Sequence, residues 1–227
     1  MPILKPYIDI LFPQVCICCG CSLRGPNRHI CYWCGYHRFE RAAAFNSEVV
    51  PESVQFIWAM WQFDKGGYIQ ELLHSLKYNH LRGVGNELGY IAGRMFLDRM
   101  NADTLQFLDA RKPVLIPVPL HSAKRRKRGY NQARALAEGL SSSLQWDLCN
   151  EGEVVRLRKT RTQTGLTTIQ RADNLKGAFS VINTRLPNRG FPVLVDDVIT
   201  TGATTYELAS AICRSGMRCG IISIARA

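Results

Sequence analysis

The stretch FPVLVDDVITTGATTYEL, residues 191–208, constrains the fold more than any other segment. Val193, Leu194 and Val195 lie in a continuous apolar run suited to a strand buried on both faces. Asp196 and Asp197 follow toward its end, and Thr200-Thr201-Gly202-Ala203-Thr204 then opens a helix read over about 205–214. At such a helix start the backbone N–H groups point outward, the threonine hydroxyls add donors, and Gly202 permits a sharp turn around an anion. Two adjacent carboxylates repel each other, and strand alternation points them to opposite sides. A vicinal diol repays that arrangement, because each hydroxyl can donate to an ionised oxygen. A phosphomonoester on a sugar matches both halves. The glycine-rich nucleotide patterns G-x-x-x-x-G-K-[ST] and G-x-G-x-x-G are absent, and so are the helical metal patterns H-x-x-x-H and H-E-x-x-H.

The rest of the chain supplies a sheet for this unit. Residues 54–63, VQFIWAMWQF, read as a buried strand, and Gly66-Gly67 turn the chain. The aromatic residues Trp58, Trp61 and Phe63 suit either core or a hood over a ligand. Ile69, Leu72, Leu73 and Leu76 predict a helix through about Tyr78. Its Lys77 and His80 either reach a ligand or complement the helix dipole. A second helix fits 86–100. From Pro113 the rhythm is a strand over 114–120, a basic loop over 121–129 and a helix over 131–145. A short strand over 154–157, a polar basic loop over 159–176 and strands over 179–182, 191–199 and 221–225 complete it. Strands alternating with helices predict an α/β fold with a mostly parallel sheet flanked by helices. Ligands of such sheets bind beyond the carboxyl ends of the strands. With about 150 residues per domain as the usual size, 227 residues make one domain plus an appendage. The expected division is a small module over 1–45 and the α/β domain over 46–227.

Twenty-nine Lys and Arg against 18 Asp and Glu leave a net charge of +11, which favours an anionic partner. The excess is local. Residues 111–134 hold eight basic side chains and no acidic one, and residues 156–176 hold six against Asp173 alone. These segments are either solvated loops or two walls of one cleft. No apolar run approaches the roughly 20 residues that cross a bilayer, and the N-terminus does not read as a signal peptide, so a cytoplasmic protein is expected.

Six of the nine cysteines fall within residues 16–34. In a reducing compartment such a cluster favours metal over disulfide. Two C-x-x-C turns complete a tetrahedron around a structural zinc. The pairs are Cys16/Cys19 with Cys31/Cys34, each second cysteine being followed by a glycine; Cys18/Cys21 is the alternative first pair. Cys149, Cys213 and Cys219 read as small buried hydrophobes.

Residues 191–208 resemble the 5-phosphoribosyl-1-pyrophosphate (PRPP) signature of type I phosphoribosyltransferases. More closely, the chain resembles the ComF family of competence-type proteins, including the GntX/YhgH-like members associated with use of DNA as a nutrient. The resemblance runs through Cys16, Cys19, Cys31 and Cys34, then HSLKY (74–78), PVPLH (117–121), RGYNQA (128–133), TQTGL (162–166), Arg171, Asn174, GAF (177–179) and VDDVITTGAT (195–204). It implies that Thr200, Thr201, Gly202, Ala203 and Thr204 hold a 5-phosphate while Asp196 and Asp197 bind ribose hydroxyls. It makes Lys124, Arg125, Arg126 and Arg128 candidates for pyrophosphate. Segment 159–176 corresponds to a closing loop, with Arg128, Lys159, Arg161 and Arg171 as candidates for catalysis, and Mg²⁺ would accompany PRPP.

The resemblance implies a phosphoribosyltransferase-like protein that binds PRPP or a related sugar phosphate or nucleotide-type ligand and acts in DNA uptake or utilisation. The competing reading is a non-catalytic, zinc-containing accessory protein that lays its basic loops on DNA phosphates. No residue cluster names an acceptor base.

Overall fold

The structure, a computed structural model, describes residues 14–23, 28–43, 50–78, 81–158, 175–183, 186, 189–213 and 217–227. After a short helix α1 (Tyr32–Tyr36) come β1 (Val54–Gln62), α2 (Tyr68–Tyr78), α3 (Arg82–Arg99), α4 (Ala102–Arg111) and β2 (Val114–Pro117). There follow α5 (Ser122–Arg128), α6 (Gln132–Leu144), β3 (Asp147–Leu148), β4 (Val154–Arg156) and β5 (Phe179–Val181). The chain closes with β6 (Pro192–Ile199), α7 (Ala203–Ile212) and β7 (Cys219–Arg226).

Five strands form one sheet in the order β1-β7-β6-β2-β3, and every pairing in it is parallel. β6 sits at its centre, with Val195 opposite Ile222 of β7 and Pro117 of β2. Its apolar run is buried on both faces, as a central parallel strand requires. Val193 and Val195 join the core formed with α2, α3 and α6, whereas Leu194 joins the core under α7. That division is the period of two expected of a strand. Trp61 and Trp58 belong to the first core: Trp61 lies against Phe39 and Trp58 meets Phe96 edge-on.

Several expectations change. Residues 121–129 are not a loop but carry helix α5, capped by His121 Nδ1 accepting from the Ala123 N–H at 3.2 Å and ended by Gly129 at φ 78°. The preceding strand stops at Pro117, where Pro117 and Pro119 both lack the amide that a ladder needs. α4 appears where no element was read; Asn101 starts it by accepting the Thr104 N–H at 2.8 Å. β4 and β5 leave the main sheet and pair antiparallel with each other, while the two-residue β3 takes the sheet edge.

Helices α3 and α6 pack directly on each other. Gly85, Gly89 and Gly93 recur every four residues on α3, so they share one face. A Cβ on Gly89 would lie 2.0 Å from the Leu136 carbonyl oxygen, and one on Gly139 would lie 1.9 Å from the Asn86 carbonyl oxygen. The absence of side chains at both positions lets the two backbones touch.

Candidate functional site

Beyond the carboxyl ends of β2 and β6 lies a polar cavity of about 290 Å³. Its floor is the end of β6. The Asp197 N–H donates to Asp196 Oδ1 at 2.9 Å, and the Val198 N–H donates to Asp197 Oδ1 at 3.0 Å. The carboxylates differ in their surroundings. Asp197 is buried, and its Oδ2 lies 2.6 Å from Lys77 Nζ, delivered by the last turn of α2. Asp196 is half-buried and lines the cavity.

Electrostatics separates the pair further. Burial, then the Asp197 charge, pushes the Asp196 carboxyl well above the ordinary carboxylate range. Burial alone would raise Asp197 too, but the adjacent Lys77 ammonium holds it below that range. Burial likewise works against the charged form of Lys77, yet Asp197 and then Asp196 raise it. The site therefore keeps one firmly ionised carboxylate, paired with lysine, beside one that ionises reluctantly.

One wall is the turn into α7. Gly202 sits at φ 74°, and a Cβ there would lie 2.4 Å from the Tyr206 ring. Thr205, one residue past the expected set, donates its hydroxyl to the Gly202 carbonyl at 2.9 Å and locks the turn. Thr200, Thr201, Gly202, Ala203 and Thr204 all line the cavity, where the first turn of the helix favours an anion.

The opposite wall is built by the RGYNQA segment. Gly129 ends α5, and the Tyr130 hydroxyl donates to the Leu76 carbonyl, which fastens this wall to the end of α2 beside Lys77. Asn131 caps α6 by accepting the Ala133 N–H at 3.1 Å, while its Nδ2 donates to the Val118 carbonyl at 3.1 Å. Gln132 also lines the cavity; it is 5% exposed, and its Oε1 has no partner among the described residues.

Lys124 and Arg128 line the cavity. They are four apart, so the unexpected helix turns both to one face. Arg125 instead pairs with Glu151 at 2.6 Å, and the exposed Arg126 is not among the lining residues. Arg156, counted from sequence only within the basic segment 156–176 and not singled out, enters from β4 with its guanidinium 5.3 Å from the Phe179 ring. Burial and then the nearby Arg156, Arg128 and Lys77 charges lower the Lys124 pKa. Lys159, Arg161, Arg171 and His80 lie outside the described residues.

The cysteine-rich segment forms a second site. The sulfurs of Cys16, Cys19, Cys21 and Cys31 all lie within 4.8 Å of one another, and Cys19 Sγ and Cys31 Sγ are 3.7 Å apart. Zinc–sulfur bonds of about 2.3 Å in a tetrahedron set sulfurs about 3.8 Å apart, so the donor set fits that ion. The Cys31 N–H points at Cys16 Sγ at 3.3 Å and the Cys34 N–H at Cys31 Sγ at 3.4 Å. Cys18 and Cys34 are buried. Cys149 and Cys219 are buried as expected, and Cys213 is half-buried.

The molecule is thus an α/β protein with an all-parallel five-stranded sheet that carries an acidic pair and a Thr/Gly helix start at its carboxyl edge. No family model matches the chain. Individual relatives do. It is 35% identical to the DNA utilization protein YhgH of Shigella flexneri over 151 residues, 65% of this chain and 62% of that protein. It is 43% identical to Competence protein F of Haemophilus influenzae over 106 residues, 45% of each. It is 23% identical to Competence protein ComFC of Bacillus subtilis over 214 residues, 92% of this chain and 82% of that one. These relatives support the likeness of the chain to the ComF family. The match thus spans less than two thirds of the YhgH relative's length. Among the described residues, no helix is long and apolar enough to cross a membrane.

Proposed function

We propose that the cavity binds PRPP or a related phosphorylated pentose, and that the protein works in DNA uptake or in the use of DNA as a nutrient. The observation that carries this reading is a single cavity lined by the Thr200–Thr204 turn, the half-buried Asp196 and the cations Lys124 and Arg128. The turn takes the 5-phosphate, Asp196 and Asp197 hold the ribose hydroxyls, and Lys124 and Arg128 face the second anionic group. Mg²⁺ bound with the ligand would neutralise part of the pyrophosphate charge. Such a site suits departure of pyrophosphate from the ribose C1 as an acceptor nucleophile bonds to that carbon, with the cations stabilising the leaving charge and the carboxylates positioning the sugar. Lys159, Arg161 and Arg171 remain candidates for closing the site. The names of the YhgH and competence relatives support the DNA-linked role. The thiol cluster holds a structural zinc.

Calorimetric titration of PRPP with Mg²⁺ tests the pocket. Hydrogen bonds to a charged group contribute about 1.5–3 kcal/mol, so Asp196→Asn should weaken binding at least about tenfold. Equal affinity in both proteins would remove the carboxylate from the ligand. The same variant should gain stability when unliganded. The folded Asp196 pKa lies above its unfolded value, so the stability it contributes is complete at acid pH and is lost as pH rises through the folded value. Asparagine escapes that loss, and at pH 8 the melting temperature should rise by about 2–4 °C for each kcal/mol recovered. An unchanged or lower melting temperature would contradict this.

A second reading has its own support. Arg126 and Lys127 are exposed on α5, and Arg126 is absent from the cavity lining, which suits a phosphate backbone lying across the surface. Binding of single-stranded DNA that falls steeply with salt, together with no response to PRPP, would favour it.

A further inference from the structure

We propose that Cys21 is a zinc ligand, and that Cys21 and Cys34 share the fourth coordination position around a fixed trio of Cys16, Cys19 and Cys31. This rests on the reading of the cluster as a metal site. The two C-x-x-C pairs supply four thiols, yet the sulfurs that lie mutually within 4.8 Å are those of Cys16, Cys19, Cys21 and Cys31. Cys21 is brought in by the backbone. The Gly20 N–H donates to the Cys16 carbonyl at 2.8 Å with Gly20 at φ 73°, and the Cys16 N–H returns to the Cys21 carbonyl at 2.8 Å. These paired bonds close a tight loop that folds Cys21 back beside Cys16.

Cys34 approaches from the other knuckle, with its N–H on Cys31 Sγ. Four sulfurs already converge and Cys34 is the fifth thiol of the same two knuckles, whereas a structural zinc accepts four. The two contenders differ in setting: Cys21 is exposed, whereas Cys34 is 0% exposed. With Cys34 bound, the ion is enclosed by the core and Cys21 is a neighbouring thiol at the surface. With Cys21 bound, the buried Cys34 thiol is the spare. Loss of either one leaves a complete tetrahedral set.

The test uses the full chain. Zinc content of purified wild type should be about one per chain. Iodoacetamide mapping of zinc-loaded wild type should find Cys21, although exposed, alkylated at least about tenfold more slowly than after chelation, since a metal-bound thiolate is a poorer nucleophile. Cys21→Ser and Cys34→Ser should each retain zinc with affinity, measured by chelator competition, within about tenfold of wild type. The double variant should lose about a hundredfold or more. If Cys34→Ser fails to fold, the alkylation result on native protein still decides. Equal alkylation of Cys21 with and without zinc, or a Cys34→Ser loss as large as that of the double variant, overturns the sharing while leaving the metal site. Wild type without zinc overturns both.

Discussion

Lys77→Met should destabilise the unliganded protein by about 3 kcal/mol at neutral pH, because removing one partner of an enclosed ion pair strands the other. The stranded group is Asp197, buried and 2.6 Å from the lost ammonium. The pH dependence identifies the cause. In wild type the folded Asp197 pKa is depressed, so its stabilising contribution is present above the unfolded value and is lost as pH falls through the folded value. Without Lys77, burial, the largest influence on the carboxyl, is opposed only by the hydrogen bonds with Asp196 and the Val198 N–H, and the pKa should rise, which reverses the sign: the variant recovers stability relative to wild type as pH falls from 7 toward 5. Urea melts at the two pH values measure the difference. A deficit of equal size at both would show that packing, not charge, is responsible.

Gly139→Ala should cost about 3 kcal/mol, at the upper end for an overpacked core. The added Cβ would lie 1.9 Å from the Asn86 carbonyl oxygen and 2.6 Å from the Tyr90 nitrogen, both backbone, so no rotamer relieves the clash. α3 and α6 must move apart. Since α6 begins at the cavity with Asn131 and Gln132, ligand affinity should fall together with stability. Gly35→Ala is the control: its Cβ would meet the flexible Ile91 Cδ1 at 3.0 Å, and denaturant unfolding should show a much smaller loss. Comparable losses in the two variants would place the tight contact elsewhere.

Much of this architecture is legible in the chain because it is local. The apolar run of β6, its acidic pair and the Thr/Gly turn are contiguous, and the heptad-like spacing from Ile69 to Leu76 identifies α2. The rest depends on partners far apart in sequence or on signals other than apolar periodicity. Lys77 has an ordinary helix-end explanation until Asp197, 120 positions later, is seen beside it. Arg156 belongs to a three-residue strand, and only its place in the basic segment 156–176 marks it in the sequence. α5 is too basic to show an apolar stripe, so its Lys124/Arg128 face is invisible to a search for hydrophobic spacing. The Gly85, Gly89, Gly93 repeat was available as a signal, but one that weakens a helix assignment unless a partner helix is known to lie on it.

The N-terminal thiol-bearing segment leans on α3 through the His29 N–H bonded to Glu87 Oε2 at 2.6 Å, and Phe39 lies 4.5 Å from Trp61, ring centre to ring centre. Cys16, Ile30 and Cys34 share one continuous interior with Leu88 and Phe96. A protease that clipped this segment away would not liberate a tidy remainder. It would strip the cover from Ile91 and Trp61, and the shortened chain, wearing an oily scar on its flank, would clump rather than stay dispersed.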